Sequence, residues 1–407
     1  MKPLPRQIRI INRAILILLG ILLLVQCGRC AFAGDPDENI PGEKSTEGIT
    51  SADSSGQNSA KYALSSPAID DSHIKSQKDT VLAQKIHGLL KTYKPDNALF
   101  LMVDAKTNEI LAWGERKDSA VQSVPSYLAR STFPAASLIK TVTLAAALES
   151  RKYALHTEVP LIGKSTTLYK RQLKIPEKYN GNTISAMDTY AKSCNPTAAI
   201  LGLSVGGDYL KKTGEKLGYN TAFPENIPET SAFNPPDTGF GLAEAASGFT
   251  QETTLSPLLA AAITRSILLK KSLEIPWSQH LPTGFAPSGA NPLEAPLFSQ
   301  NTYYGLKTAM LQTVKSGTGR KNISKRHISK RYLNRLNIGG KTGSKDGDDP
   351  PGRYDWFAGF AEDNQNPENA VIVVVMQAHG EMRSQPATQV AALLIQYWAK
   401  EYLSFAQ

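Results

Sequence analysis

Cysteine is scarce. The 407 residues hold three, Cys27, Cys30 and Cys194. Two of them fall in the first 33 residues, so loss of that segment leaves Cys194 alone and excludes an internal disulfide framework. The fold must then rest on its hydrophobic core. Histidine is also sparse: six scattered residues, with no H-E-x-x-H pair, offer no metal-ligand spacing. No metal or other cofactor is expected. A large excess of one sign of charge is lacking as well, with 45 Lys/Arg against 36 Asp/Glu. The formal +9 falls to +4 without residues 1–33, which carry five Lys/Arg and no Asp/Glu. That excess is too small for a nucleic-acid-binding footprint. No internal repeat is visible.

Long apolar runs are absent except for "AILILLGILLLV" at 14–25. Twelve residues fall short of the roughly 20 that span a bilayer. Lys2, Arg6, Arg9 and Arg13 precede the run, and "AFAG" follows at 31–34. A basic start, a short apolar run and a small-x-small ending make residues 1–33 a signal peptide, or an uncleaved membrane anchor given Arg29 in the cleavage region. Either outcome exports the rest, to the periplasm or the outer face of the cytoplasmic membrane, with membrane contact only through this segment. Gln26 and Arg29 before the two cysteines are too large and polar for a lipidation site. Residues 34–80, rich in Ser, Gly, Asp and Glu, cannot bury enough apolar surface to offset ordering and read as a flexible linker. Residues 81–407 alternate helical and strand patterns without a break and read as one domain.

Three short patterns in that domain carry chemistry. In "STFPAASLIKTVTLAAALES", Ser137 and Lys140 stand three apart, on one face of an apolar helix. A serine hydroxyl needs a base, and a lysine serves only when burial or another cation lowers its pKa. Free N–H groups at the helix start suit an oxyanion. The bland reading is a chance pair in a buried helix, since "SHIK" at 72–75 repeats the spacing. In "TYAKSCNPTAAILGL", Ser193 and Asn195 flank a helix start with Pro196 at its first turn; there they either project into a cleft or merely cap the helix. "SQN" at 299–301 shows how cheap the pattern is. Lys-Thr-Gly occurs twice. The copy at 212–214, in "LKKTGEKLG", reads as the wet face of a helix. The copy at 341–343, in "GGKTGSKDG", reads as a strand ending in a loop, with a second strand over 354–361. Gly343 lets a second backbone approach, while Lys341 and Thr342 offer charge and a hydroxyl to a carboxylate.

Order and spacing join these patterns: 56 residues separate Ser137 from Ser193, and 148 separate Ser193 from Lys341. S-x-x-K, S-x-N and K-T-G in this order resemble the penicillin-binding serine transpeptidases and β-lactamases. The flanks "ALFLMVDAKTNEILAWGE", "GFGLAEAASGFTQETTLSPLLAAAITRSI" and "YDWFAGFA" are similar to that family's opening strand pair, its Gly-x-Gly stretch with the following helix, and the strand after K-T-G. The resemblance implies an α/β (α+β) fold with a mostly antiparallel five-stranded sheet flanked by helices, plus an all-helical subdomain. It implies a D,D-transpeptidase that cross-links peptidoglycan stem peptides through an acyl-enzyme at Ser137 and is acylated by β-lactams, with cell-wall or divisome proteins as partners. It makes Lys140 the base, Ser193 a proton relay and Asn195 a holder of the acyl-side amide. Lys341, Thr342 and Ser344 would bind the terminal carboxylate, and the N–H groups of Ser137 and Ser344 the oxyanion. Ala135-Ala136 stand where the family usually has Pro-Gly before the nucleophile, and Ser344 where it has threonine.

Other readings stay open at this point. A D,D-carboxypeptidase uses the same residues, and a β-lactamase differs in deacylation and has a shorter S-x-N to K-T-G gap. A non-catalytic sensing or peptidoglycan-binding domain would keep the fold without the reaction. "GLSVG" at 202–206 matches the G-x-S-x-G elbow of α/β-hydrolases, with His280, His327 and His379 downstream, but only a strand–turn–helix context makes it an elbow. The basic run at 320–335 reads as a solvated amphipathic arm, or as a patch for anionic wall polymer or lipid headgroups.

Overall fold

The computed structural model describes residues 72–222, 230–279, 296–381 and 384–404. The predicted signal or anchor segment, most of the linker and His280 lie outside the described residues. Strands in chain order are β1 (Asn97–Asp104), β2 (Ile110–Lys117), β3 (Ala120–Gln122), β4 (Glu158–Pro160), β5 (Thr183–Ser185), β6 (Leu336–Asp348), β7 (Pro351–Asp363) and β8 (Ala370–His379). The principal helices are α1 (Thr80–Tyr93), α2 (Lys140–Glu149), α3 (Ala186–Ala191), α4 (Asn195–Val205), α5 (Gly207–Lys216), α6 (Gly239–Ser247), α7 (Pro257–Leu269), α8 (Gln300–Lys315) and α9 (Ala387–Tyr402).

The apolar segment "AVIVVVMQAH" is buried at every position of β8, next to β1 at the centre of the sheet. Strand side chains alternate between faces, so such a run requires cover on both. Phe100, Met102, Val373 and Val375 face a layer built from α1 and α9, with Leu82, Ile86, Val390 and Ile395. Leu99, Leu101, Val374 and Met376 face the opposite way, into a larger core with Val142 of α2 and Leu258 and Ile263 of α7. Each fully buried aliphatic side chain contributes roughly 1.5–3 kcal/mol. Two cores therefore clamp one sheet.

That sheet has six strands in the order β3-β2-β1-β8-β7-β6, all neighbours antiparallel, where five were expected. The extra strand is the three-residue β3. It is turned back on β2 by Asp118 and Ser119, both with positive φ (49° and 64°), a turn that usually announces itself with Asn or Gly. Two further corrections concern boundaries. Residues 72–80 are structured rather than linker: Gln77 accepts from the Trp113 amide at 2.7 Å, and Asp79 caps α1 through the Leu82 amide at 2.9 Å. And β6 does not end at the second Lys-Thr-Gly; it runs on to Asp348 and turns directly into β7, paired along its full length. Polar alternation beyond Gly343 hid this continuation, because the β6–β7 hairpin extends past the core.

Candidate active site

The turn that carries Ser137 is a 3-10 helix, Ala136–Ile139, that runs straight into α2. Ala136 immediately before Ser137 has φ 47°. Glycine is the default residue for that left-handed conformation; an alanine there costs on the order of 1–3 kcal/mol. Ala135, at φ −64°, and Ala136 thus hold backbone angles that suit proline and glycine, and the second alanine places strain in the turn. Gly248, with φ 80°, lies against the same turn, where a Cβ would stand 2.2 Å from the Ala136 carbonyl oxygen. No other residue fits there.

Ser137 and Lys140 do meet. Lys140 Nζ lies 2.8 Å from Ser137 Oγ, 2.8 Å from Asn195 Oδ1 and 2.6 Å from the Ser247 carbonyl oxygen. Its side chain is 1% exposed, and burial brings its pKa down from the ordinary lysine value to about 7. A neutral amine has two N–H bonds and one lone pair. Asn195 Oδ1 and the Ser247 carbonyl can accept only, so they take the two N–H bonds and aim the lone pair at the Ser137 hydroxyl.

Ser193 and Asn195 do not cap helix α4. Its N-cap is Cys194, which makes no side-chain capping bond and is buried. Ser193, held at φ 56°, instead turns its hydroxyl to Lys341 Nζ at 3.0 Å, while Asn195 Nδ2 donates to the Thr166 carbonyl at 2.9 Å. The S-x-N segment therefore joins two lysines, Lys140 through Asn195 and Lys341 through Ser193.

Lys341 is also 1% exposed. It donates to the Thr342 carbonyl at 2.8 Å and lies over the Tyr190 ring, 5.5 Å from its centroid. Burial, then the neighbouring charge of Lys140, hold its pKa well below the usual lysine range. Gly343 lets β6 run against the Ser137 turn: a Cβ there would stand 3.3 Å from Ala136 Cβ and 3.4 Å from the Ala135 carbonyl. Ser137, Ser193, Asn195, Thr342, Gly343 and Ser344 all line one cleft of about 490 Å³.

Three contributors escaped sequence reasoning. Thr318 donates to or accepts from Thr342 at 2.6 Å, and its signal was the Ser316-Gly-Thr-Gly turn ahead of the basic run. Ser247 acts through its backbone carbonyl and Tyr190 through its ring face, which no residue pattern reports. The rival motifs separate from this cleft. In the first Lys-Thr-Gly, Lys212 is exposed on α5 and pairs with Asp208 at 2.8 Å. Ser299 caps α8. The elbow reading is overturned: 202–206 ends helix α4, and Ser204 Oγ donates to the Leu201 carbonyl at 2.7 Å, with no strand before it.

Residues 98–396 match the family model for the penicillin binding protein transpeptidase domain. The chain belongs to the penicillin-binding protein transpeptidase family. It is 23% identical over 287 residues to stage V sporulation protein D of Bacillus subtilis (strain 168), across 67% of this chain and 43% of that protein. To peptidoglycan D,D-transpeptidase PbpA of Mycolicibacterium smegmatis it is 27% identical over 169 residues, 38% of this chain and 33% of that one. The chain thus spans less than half the length of these curated relatives. Its fold is that of solved penicillin-binding transpeptidase domains. The TP domain of Burkholderia pseudomallei penicillin-binding protein 3 superposes with a TM-score of 0.56 at 16% identity, over 80% of this chain and 93% of that chain. The transpeptidase domain of FtsI4 from Legionella pneumophila gives 0.51 at 17% identity, over 80% and 96%. At these identities the fold alone is shared.

Proposed function

We propose that this transpeptidase-family chain is an exported serine D,D-transpeptidase acting on peptidoglycan stem peptides and acylated by β-lactams. The observation that carries the reading is the buried Lys140 amine, poised near neutrality 2.8 Å from the Ser137 hydroxyl. Ser137 Oγ attacks the D-Ala–D-Ala carbonyl carbon as its proton passes to Lys140 Nζ, a transfer worth typically 10²–10⁴-fold in rate. The oxyanion falls to the N–H groups of Ser137 and Ser344, each such donor contributing about 3 kcal/mol. The C–N bond then breaks, and the departing D-alanine nitrogen takes its proton from Ser193 as Ser193 takes one from the protonated Lys341 Nζ, 3.0 Å away. An amine from a second stem peptide opens the Ser137 ester.

Lys341, Thr342 and Ser344 receive the substrate's terminal carboxylate. A carboxylate beside Lys341 favours its protonated form, countering the burial that disfavours it in the free site. Asn195 acts first as a positioning residue, fixing Lys140, and its amide N–H side borders the cleft beside Thr166.

The test is product analysis with a stem pentapeptide and an amine acceptor. Release of D-alanine with a cross-linked dimer supports the assignment. Release of D-alanine with only the shortened peptide would make the protein a carboxypeptidase, and no release of D-alanine at all would remove the catalytic reading.

A further inference from the structure

The basic segment 320–335 is not a solvated arm. Ile323, Ile328 and Tyr332 are buried in the core beneath α9, Asn322 donates to Thr388 at 2.7 Å, and Arg335 pairs with Asp363. Docked in this way, it forms one wall of a groove of about 710 Å³ with α8 and the start of β6. That volume lies within the roughly 300–1,000 Å³ of built binding sites. Leu311, Val314, Ile323, Leu333, Leu336 and Ile338 supply an apolar lining, and Lys315, Lys325 and Lys330 stand exposed around it.

Two further observations say what would fit. No Asp or Glu occurs between Glu294 and Asp346, so the rim has no acidic residue of its own segment to neutralise it. Lys307 and Arg335 are satisfied by Glu362 and Asp363, whereas Lys315, Lys325 and Lys330 make no ion pair among the described residues. In addition, β6 is the edge strand of the sheet, with no strand beyond it among the described residues. An edge strand accepts an extended peptide by backbone pairing, with pockets reading alternate side chains.

We infer that this groove docks an extended segment of a partner protein in which apolar and acidic side chains alternate. Apolar residues would fill the lining while acidic ones meet the three lysines, which chiefly speed and orient association. A membrane surface fits less well, because the apolar residues here are recessed and none of the large exposed hydrophobic side chains of the described chain falls within 311–338. An anionic polymer would use the lysines and leave the apolar lining without a role. The plainest alternative is that edge lysines only discourage strand pairing.

The experiment measures fluorescence anisotropy of a labelled octapeptide of alternating Glu and Val with the full chain. Saturable binding that weakens at least tenfold in the Lys325→Glu/Lys330→Glu double variant, at unchanged benzylpenicillin acylation, is the expected result. Retained acylation shows the variant is folded, and it reads the active site separately from the groove. Absence of octapeptide binding, or binding unmoved by the double variant, overturns the inference. So does equal binding of polyglutamate, which would make the patch a polyanion site, or of phosphatidylglycerol vesicles, which would make it a membrane-surface patch.

Discussion

Lys-Thr-Gly is spelled twice in this chain, and the two copies share nothing but their letters. At 212–214 the triplet lies within α5: Lys212 reaches solvent and Asp208, Thr213 donates back to the Tyr209 carbonyl, and Gly214 packs under Phe233. At 341–343 it lies mid-strand on the edge of the sheet, with Lys341 buried against Tyr190 and Ser193, Thr342 turned to Thr318, and Gly343 against the turn that carries Ser137. Backbone period decides the difference. A strand sends Lys341 and Gly343 to one face and Thr342 to the other, whereas a helix fans three consecutive residues around its axis. A short motif acquires chemical meaning only through the element that displays it.

The largest effect should separate the two lysines. Lys341→Ala is expected to lower the rate constant for β-lactam acylation by about 10²–10³-fold, the scale of a lost transition-state donor. Lys212→Ala should stay within about twofold. Comparable losses at both positions would break the comparison. A pH profile sharpens it next. Ser137 acylation needs Lys140 neutral, and Lys140 is held at about 7 by burial, so the rate constant should rise with pH through neutrality and then level. Between pH 6 and pH 8 the gain should be about tenfold. A flat profile over that window would remove Lys140 as the base.

The two glycines give smaller and opposite signatures. Gly214→Ala puts a Cβ 2.8 Å from the buried Phe233 ring. Overpacking of about 1–3 kcal/mol exceeds the roughly 1 kcal/mol of helix propensity gained. The melting temperature should fall by about 2–4 °C with acylation unchanged. Gly343→Ala should leave melting nearly unchanged and slow acylation, because its new methyl presses on Ala136. The smallest expected effect is Ala136→Gly, which relieves the positive-φ alanine and should raise melting by about 2 °C. Combined with Gly343→Ala it should restore part of the lost acylation, since it removes one of the two methyls in contact. Additive effects in that cycle would deny the contact.

Much of this is legible in the sequence where several residues report one fact. The apolar run over 370–379 could only be a strand covered on both faces, and Ser137, Lys140, Ser193 and Lys341 are named by type and spacing. What stayed hidden works through groups that sequence patterns do not display. The Ser247 carbonyl and the Tyr190 ring hold the two lysines but carry no spacing signal. The true length of β6 was masked by Asp346, Gly347 and Asp348, which read as a loop yet pair with β7 beyond the core. The basic run at 320–335 read as solvated because its charges outnumber Ile323, Ile328 and Tyr332, the three side chains that dock it.

The central claim is that Ser137, activated by Lys140, is the acylated residue. Intact mass spectrometry after incubation with benzylpenicillin tests it most directly. The account predicts one penicilloyl adduct per chain, slow to release, absent from Ser137→Ala and strongly delayed in Lys140→Met. An unmodified wild-type chain, or an adduct that persists in Ser137→Ala, would contradict it.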